Sequence, residues 1–433
     1  MKNNHHILNW EIKSLEDIAI DFVSGGTPST SKKEYWEGDI HWMRSAHITG
    51  KEVYSGEKFI TKAGLINSAT NLVPKDNLLI ATRVSLGNVV INRVDMAISQ
   101  DLTGIIIDKN KINENFLYYL LLTKKNEILS IAQGTTIKGI LRDDLKKFRI
   151  YVPPLVEQLG IVVILGTVDE CIRLTDEVIG RAEELKRGLM QRLLTRGIGH
   201  TEYRQTPLGE IPKTWKIVRL KDISIGGSQN GLYKSTDNGD PINYVRMTEL
   251  FKSDILTKEI EEKINVTKKE REKFSLKNGD LLFGRRSLKI EGAGKCVLVS
   301  GLYNDAIFES SIIRFSLNQE KAYPLFYLYW FLNDTGYRTI RKIVRIVTVS
   351  GVTGKDLERL KIPLPPIKEQ IEISNIVQIC DRKISDEKNR KKKLLLLKQG
   401  LMQVLLSGKV RVEMKENGLP RIRDGGRPDH RMA

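Results

Sequence analysis

The residue types that perform catalysis occur in this chain, but not at the spacings that catalysis requires. Adenine methyltransferases hold the target base with a Pro-Pro pair followed by an aromatic residue, whereas the Pro-Pro pairs here precede Leu155 and Ile367. A phosphate-binding loop needs Gly-Lys followed by Ser or Thr, and the Gly-Lys pairs at 294–295 and 354–355 precede Cys296 and Asp356. The histidines and cysteines form no metal-binding motif. We therefore expect a non-catalytic chain that binds no cofactor or metal.

The charge of the chain favours binding to a polyanion instead. Its 433 residues include 70 Lys and Arg against 53 Asp and Glu, a formal net charge of +17. Each phosphate that a Lys or Arg neutralises releases condensed counterions, so this excess is typical of a DNA-binding protein. The apolar runs fall short of the ~20 residues that span a bilayer, and the first residues do not resemble a secretory signal. We expect a cytoplasmic protein with about two or three domains of ~150 residues.

Candidate DNA-reading side chains occur in both halves of the chain. Arg, Asn and Gln can make bidentate contacts with base edges, whereas Lys, Ser and Thr more often hold phosphates. The alternative for each residue is an ordinary solvated or ion-paired surface position. The candidates in the first half are Lys32, Lys33, Arg44, Arg83, Thr135, Thr136 and Lys138. The candidates in the second half are Gln229, Asn230, Tyr233, Lys234, Arg246, Arg285, Arg286 and Lys289.

These candidates belong to a chain that repeats itself. Pro-Pro-Leu-Val-Glu-Gln at 153–158 recurs as Pro-Pro-Ile-Lys-Glu-Gln at 365–370, and Gly-Leu-Met-Gln at 188–191 recurs at 400–403, so both pairs are 212 positions apart. An ungapped comparison of 136–195 with 348–407 gives 21 identities in 60 positions. A helix that must keep its register cannot absorb an insertion. Each copy is therefore predicted to be one long helix that begins after its Pro-Pro pair.

The two predicted helices are expected to pair with each other. Their apolar residues recur mostly every three or four positions, and about 40 residues make a rod of ~60 Å, too long for one small domain to bury. Residues 169–187 contain four basic and six acidic side chains, a net −2, whereas residues 381–399 contain eight and three, a net +5. Opposite charges favour pairing in a coiled coil. Two unrelated helices, each packed on its own domain, would leave the shared motifs unexplained.

The regions that precede the helices resemble each other more loosely. Each opens with a tryptophan, Trp10 or Trp215, and each later has an apolar run ending in arginine, at 78–83 and 281–286. The sequence thus predicts an α+β protein in which two similar domains alternate with two long helices. The predicted segments are domain 1 at 1–152, a spacer helix at 153–196, a linker at 197–211, domain 2 at 212–364, a second spacer helix at 365–408 and a flexible basic tail at 409–433.

The chain resembles the DNA-specificity (S) subunit of Type I restriction-modification systems. The resemblance rests on the paired helix motifs, on Gly-Gly-Thr-Pro-Ser at 25–29 and on Gly-Thr-Thr-Ile-Lys-Gly-Ile at 134–140, and it extends to about Val410. It implies two target-recognition domains joined by two long antiparallel helices that form a coiled-coil spacer, with a pseudo-twofold repeat. Each domain would read one half of a split, asymmetric DNA site. The second domain lacks the Gly-Gly-Thr-Pro opening and has Gly-Gly-Ser-Gln-Asn-Gly at 226–231 instead, so different half-sites are expected.

The resemblance also implies partners that supply the chemistry. Two modification subunits would bind S-adenosylmethionine and methylate adenine in double-stranded DNA, and restriction subunits would cleave DNA with ATP and Mg. No membrane is involved. Residues at the ends of the repeated helix motifs are the candidates for binding these subunits: Leu155, Gln158, Leu189, Met190, Ile367, Gln370, Leu401 and Met402.

Two other functions are open from the sequence. One is a self-sufficient DNA-modifying enzyme with an unrecognised active site, which would transfer methyl groups without a partner. The other is a structural coiled-coil scaffold whose basic charge is incidental. Such a scaffold would bind DNA undetectably or without sensitivity to salt.

Overall fold

The structure is a computed structural model that describes residues 10–134, 139–233, 239–257, 260–301, 305–345 and 350–424. The chain divides into two compact units. The first unit consists of Met1–Asp176 and Asn389–Ala433, and the second of Glu177–Lys388. Each unit therefore contains one domain and part of both long helices. Within the described ranges, no helix is long and apolar enough to cross a membrane.

The first domain is built from short strands and a few helices that lead into a helix of 42 residues. Its elements are β1 (Glu11–Ser14), α1 (Leu15–Ile18), β2 (Ala19–Ser24), β3 (Trp36–Met43), β4 (Glu52–Val53), β5 (Lys58–Ile60), α2 (Lys62–Ile66), β6 (Asn71–Val73), β7 (Asn77–Ala81), β8 (Val89–Asn92), β9 (Met96–Ile98), β10 (Leu102–Ile107), α3 (Glu114–Thr123), α4 (Lys125–Ser130), α5 (Arg142–Lys146) and β11 (Arg149–Val152). The long helix α6 (Leu155–Arg196) and a hairpin of β12 (Tyr203–Thr206) and β13 (Gly209–Pro212) follow.

The second domain follows the same plan and leads into a helix of 39 residues. Its elements are β14 (Lys216–Arg219), β15 (Ser224–Asn230), β16 (Asp240–Val245), α7 (Met247–Lys252), β17 (Ile255–Leu256), β18 (Lys263–Val266), α8 (Lys268–Phe274), β19 (Asp280–Gly284), β20 (Arg286–Ser287), β21 (Cys296–Val299), β22 (Ala306–Phe308), β23 (Ile312–Leu317), α9 (Pro324–Leu332), α10 (Asp334–Arg341), β24 (Ser350–Gly351), α11 (Gly354–Glu358) and β25 (Lys361–Leu364). The long helix α12 (Ile367–Leu405) and a hairpin of β26 (Val410–Met414) and β27 (Pro420–Asp424) follow.

The two domains share the strand order of their five-stranded sheets and the pairing of their first and last strands. A five-stranded sheet has the order β2-β10-β7-β8-β4 in the first domain and β15-β23-β19-β21-β17 in the second. The first and last strands of each domain pair antiparallel, β1 with β11 and β14 with β25. The central strands β7 and β19 are fully buried because every residue in them is apolar or, at one end, hydrogen-bonded within the core. The predicted fold class, two similar α+β domains with a pair of long helices, is confirmed.

Within each unit, the parts of α6 and α12 run antiparallel. The residue numbers of the ion pairs between them rise along one helix as they fall along the other. The pairs are Asp169–Lys398 (2.6 Å) and Asp176–Lys391 (2.6 Å) in the first unit, and Glu183–Lys388 (2.7 Å) and Lys186–Asp381 (2.5 Å) in the second. In three of the four pairs the acid is on α6, as the opposite charges of the two helices predict.

The predicted linker and the predicted tail each contribute to a hairpin. Part of the predicted linker, 197–211, pairs as β12 and β13. The tail predicted to be flexible pairs as β26 and β27, and Val412 is buried in the first domain's core. Residues 410–424 therefore have regular secondary structure, and flexibility of the tail stays a prediction. Apolar residues alternate along Val410–Met414 at the strand period, but the surrounding basic residues obscure this signal in the sequence.

Candidate nucleic-acid interface

A concave site of ≈ 360 Å³ lies beside the end of β7 in the first domain. The chain before α5 forms one wall, because the Ile140 N–H donates to the Thr82 carbonyl (2.8 Å) and Gln133 pairs with Gly139 through two backbone hydrogen bonds. The predicted residue Arg83 follows Thr82 and lines the site. The polar lining residues include Ser24, Thr82, Arg83, Gln100, Thr103 and Arg142. The predicted residues Thr135, Thr136 and Lys138 are outside the described residues.

The polar groups of this site suit the recognition of a nucleic acid. Arg83 is exposed and has neither a hydrogen bond nor an ion pair to any described residue, so its guanidinium can bind a base edge or a phosphate. Arg142 Nη1 donates to Ser24 Oγ at 3.3 Å, and Thr27 Oγ1 donates to Gln100 Oε1 at 2.6 Å. Sequence reasoning missed Arg142 and Gln100. No local sequence pattern marks Arg142, because the matching position of the repeat is Gly354.

The second domain repeats these backbone hydrogen bonds, which we call the backbone frame, with different side chains. The Val352 N–H donates to the Arg285 carbonyl (3.0 Å), and Arg345 pairs with Gly351 through two backbone hydrogen bonds. Arg285 thus stands where the first domain has Thr82, and Arg286 stands where it has Arg83. Arg285 Nη1 also donates to the Ser310 carbonyl at 3.2 Å. In the described parts of the chain, the exposed side chains of Arg286 and Lys289 have no hydrogen-bond or ion-pair partner.

In each domain one glycine lies close against a neighbouring backbone, and in the first domain this glycine lines the concave site. A Cβ on Gly25 would lie 2.2 Å from the Ser99 carbonyl oxygen, and one on Gly231 would lie 2.2 Å from the Phe308 carbonyl oxygen. The next residues make the same bond, from the Gly26 N–H to Ile98 and from the Leu232 N–H to Phe308. The second domain therefore keeps one glycine of the opening, although its sequence pattern differs. Its two extra glycines, at 226 and 227, lie in a β-bulge with φ of +74° and +73°.

Some predicted DNA-binding residues are held by other side chains. Arg44 is paired with Glu57, and this hydrogen bond lowers the pKa of the Glu57 carboxyl. Arg246 is paired with Glu262. The Gln229 amide donates to the Lys273 carbonyl (2.9 Å) and accepts from Arg314, so both of its polar groups are used inside the domain.

The remaining predicted DNA-binding residues lie at the surface. Lys32 Nζ donates to the Tyr35 hydroxyl at 3.0 Å, and Lys33 is exposed beside it. Asn230 is exposed at the end of β15, and Tyr233 is 88% exposed. Lys234 is outside the described residues. No single site within the described ranges brings all of these residues together with Arg83 or Arg286.

Gln158 and Gln370 do not form a partner surface. Both side chains are fully buried. Gln158 accepts from the Asn113 N–H (2.8 Å) and donates to the Lys111 and Pro153 carbonyls, and Gln370 does the same with Tyr323, Lys321 and Pro365. The prediction is wrong for these two residues because an amide with two donors and an acceptor can satisfy buried backbone groups that nothing else reaches.

The neighbouring glutamates anchor the helix starts. Glu157 accepts from Trp10 Nε1 (3.1 Å) and from the Arg411 guanidinium (2.7 Å), just beyond the end of α12. Glu369 accepts from Trp215 Nε1 (3.0 Å) and lies 2.7 Å from His200, just beyond the end of α6. In each unit, one carboxylate therefore connects the start of one long helix with the segment that follows the end of the other long helix.

The other predicted partner-binding residues lie against the domains. Met190 is buried in the core cluster of the second unit, with Leu189 packed on it. Leu401 and Met402 are half-buried against the core of the first unit. Leu155 and Ile367 are half-buried at the helix starts. Apolar side chains at the end of a helix stabilise it most by joining a core, and a partner role stays a prediction for the half-buried residues.

Comparisons with known proteins match this duplicated architecture. The model of the Type I restriction modification DNA specificity domain matches residues 7–184 and again 212–396. The Type I restriction enzyme MjaVIII specificity subunit of Methanocaldococcus jannaschii is 24% identical over 415 residues, which cover 94% of each chain. The EcoR124I/EcoR124II specificity subunit of Escherichia coli is 31% identical over 183 residues, which cover 41% of this chain and 45% of that one.

Solved structures share the fold over nearly the whole length. The S subunit of a Type I restriction-modification system from M. genitalium has a TM-score of 0.53 at 16% identity, covering 94% of this chain and 98% of that one. A chain from a structure concerned with complex assembly and conformational transition of the type I R-M system has a TM-score of 0.59 at 15% identity, covering 92% and 97%. Because the family model matches both halves and most of the chain, this protein belongs to the family of DNA-specificity subunits of Type I restriction-modification systems.

Proposed function

We propose that this chain recognises a bipartite, asymmetric DNA site, with one half read by each domain. The observation that supports this most directly is a backbone frame that both domains share. It surrounds Thr82 in the first domain and Arg285 in the second, and side chains at matching positions differ, as Gln100 and Ser310 also do. A shared frame with different side chains is expected when two copies of one reading domain have diverged toward different base sequences.

The charge of the two sites supports binding to DNA. Arg83, Arg286 and Lys289 are exposed and lack carboxylate partners among the described residues, so binding a phosphate or a base edge breaks no existing ion pair. A guanidinium bound to guanine in a bidentate manner discriminates against a wrong base by ~1–3 kcal/mol. Arg83 and Arg286 occupy equivalent positions and are our first candidates for base reading.

The chemistry is assigned to partner subunits. On this proposal, two modification subunits use S-adenosylmethionine to methylate adenine at the site, and restriction subunits cleave DNA with ATP and Mg. The chain itself contributes recognition and no catalytic group. It acts in the cytoplasm, where the host DNA lies.

The test is a map of adenine methylation in the host genome with and without the gene for this chain. We expect one two-part motif, with a gap of fixed length, to lose its methylation when the gene is deleted. Restoring the gene should restore the same motif. Loss of a continuous motif, or of none, would contradict the proposal.

A second experiment addresses the role of the long helices. DNA presents equivalent major-groove faces once per ~34 Å turn, so the gap must follow the separation of the two reading domains. An insertion of helical residues near Gly180, where an added Cβ would meet no neighbouring atom within 4 Å, should change the gap and leave both half-sequences intact. A functional insertion variant with an unchanged gap would show that the helices do not set the spacing.

The alternative functions make different predictions. A self-sufficient enzyme would methylate DNA as a purified chain with S-adenosylmethionine alone. A structural scaffold would form complexes whose affinity for DNA does not fall as the salt concentration rises. We expect neither result.

A further inference from the structure

Each unit contains a three-residue cluster that joins its domain to both long helices. In the first, the Tyr119 hydroxyl donates to Asp169 Oδ2 (2.6 Å), and Lys398 Nζ lies 2.6 Å from Asp169 Oδ1. In the second, the Tyr329 hydroxyl donates to Asp381 Oδ2 (2.7 Å), and Lys186 Nζ lies 2.5 Å from Asp381 Oδ1. We call these the Tyr-Asp-Lys clusters. Each takes its tyrosine from α3 or α9, its aspartate from the long helix that follows that domain, and its lysine from the other long helix.

The clusters follow the internal repeat of the sequence. The two aspartates are 212 positions apart, and so are the two lysines. The aspartate of each copy pairs with the lysine of the other copy, which requires one antiparallel register. Sliding one helix by a single residue would move its side chains by ~1.5 Å along the axis and turn them away from their partners. Both clusters therefore favour the same register.

The tyrosines are suited to this role by burial. Tyr119 is 0% exposed and Tyr329 is 2% exposed. Burial raises the pKa of both hydroxyls, and the hydrogen bond to the aspartate raises it further, so both remain donors at neutral pH. The lysine ammonium also lies 5.5 Å from the Tyr119 ring centre and 5.7 Å from that of Tyr329. Hydrogen bonds with charged acceptors are roughly twice as strong as neutral ones.

Two other ion pairs between the helices lack this connection. Asp176–Lys391 and Glu183–Lys388 join helix to helix, and no described domain side chain is hydrogen-bonded to either acid. Their acids are also more exposed, at 47% for Asp176 and 45% for Glu183, against 27% for Asp169 and 35% for Asp381. Pairing of the helices alone would not require a buried tyrosine in each domain.

We propose that the two Tyr-Asp-Lys clusters are positioning residues that hold each DNA-reading domain at one place on the helix pair and thereby fix the length of the gap between the half-sites. This inference rests on the proposed function above. It identifies side chains within the helices that decide how strictly one gap length is enforced.

The experiment measures methylation by the assembled complex on a library of sites whose gap varies in length. The variants are Asp169→Asn and Asp381→Asn, with the milder Tyr119→Phe and Tyr329→Phe in case the first two fold poorly. We expect methylation at gaps one base pair too long or too short to rise by roughly tenfold relative to the correct gap, which is what ~1.4 kcal/mol of lost register preference produces. Both half-sequences should stay unchanged.

The matched controls are Asp176→Asn and Glu183→Gln, which remove an ion pair between the helices without touching a tyrosine. They should lower stability slightly and leave the gap distribution as sharp as in the wild type. If the cluster variants lose overall activity while the distribution stays sharp, the clusters are merely structural and the inference fails.

A second measurement does not depend on DNA. Spin labels at Ile66→Cys and Tyr337→Cys, in a chain whose native cysteines are replaced by alanine, report the distance between the domains. The distribution should broaden with Asp169→Asn and not with Asp176→Asn. Equal distributions would overturn the inference. Narrow distributions together with a wild-type complex that methylates no split site would instead overturn the proposed function.

Discussion

The two units hold their helices with the same chemistry and present different side chains to solvent. In each, a tryptophan and a glutamate meet at the start of a long helix, and a buried glutamine secures the loop before the aromatic helix. At the candidate DNA-reading positions, by contrast, Thr82 and Gln100 of the first unit correspond to Arg285 and Ser310 in the second. The duplication has therefore kept the contacts that position the domains and varied those that would read DNA.

The largest effect should come from removing the hairpin that completes the first unit. Deletion of residues 409–433 removes Arg411 and Val412 and leaves the buried Glu157 carboxylate without its cation. An uncompensated buried charge costs ~3–5 kcal/mol. Hydrogen exchange should accelerate at the start of α6 and not at the start of α12, where Glu369 is held by His200. Deletion of 425–433 alone is the control and should change neither.

A smaller loss of stability is expected when either of the two matching glycines is replaced. Gly25→Ala and Gly231→Ala each place a Cβ within 2.2 Å of a carbonyl oxygen. Overpacking of this kind costs ~1–3 kcal/mol, which thermal unfolding would detect. Gly50→Ala, where the Cβ has no neighbour within 4 Å, should be nearly neutral. Equal changes in thermal stability in all three variants would show that Gly25 and Gly231 are not constrained by the neighbouring backbone.

Arginine substitutions should separate the two half-sites. Arg83→Ala should relax base preference in one half of the methylated motif, and Arg286→Ala in the other, each by ~1–3 kcal/mol. The exposed Lys62→Ala serves as a control outside both sites. The readout is the base frequency at each position of the methylated motif. A uniform loss of methylation with unchanged preference would identify the arginines as phosphate contacts instead.

The smallest effect concerns a lysine at the first cluster for which no described residue is a counterpart at the second. Lys51 Nζ donates to the Tyr119 hydroxyl at 3.1 Å, and burial lowers the pKa of Lys51. Between this lowered pKa and the ordinary lysine pKa of 10.5, the unfolded chain binds more protons than the folded chain. The free energy of unfolding should therefore rise as the pH rises toward 10.5. Urea unfolding of Lys51→Met should lack this rise, whereas Lys62→Met should keep it.

The long helices could be predicted because their repeat has no gaps and their apolar residues keep the helical period. The two hairpins were missed because each consists of strands of four or five residues that depend on tertiary contacts such as Val412. The anchoring roles of Gln158 and Gln370 were missed since residue type does not reveal burial. The match between Gly25 and Gly231 was hidden because the bulge at Gly226 and Gly227 shifts the alignment.

Prediction of the candidate sites was partial for a related reason. Arg83 and Arg286 were found because each ends an apolar run in the sequence. Such a run predicts a buried strand, so each arginine is expected where that strand ends. Arg44 and Gln229 were chosen by residue type alone. Their partners, Glu57 and Arg314, lie elsewhere in the sequence, and no motif marks them as partners. Arg142 reaches the site only through the pairing of Ile140 with Thr82, which no local pattern shows.

The exchange of helix ends between the units has a consequence for how the chain folds as it is made. The core of the first unit includes Leu405, Leu406 and Val412, whereas the rest of that domain ends at Val152. Chains are synthesised from the amino terminus, and contacts between distant residues form slowly. The first domain must therefore wait, with part of its apolar surface uncovered, until residues 405–412 have been translated.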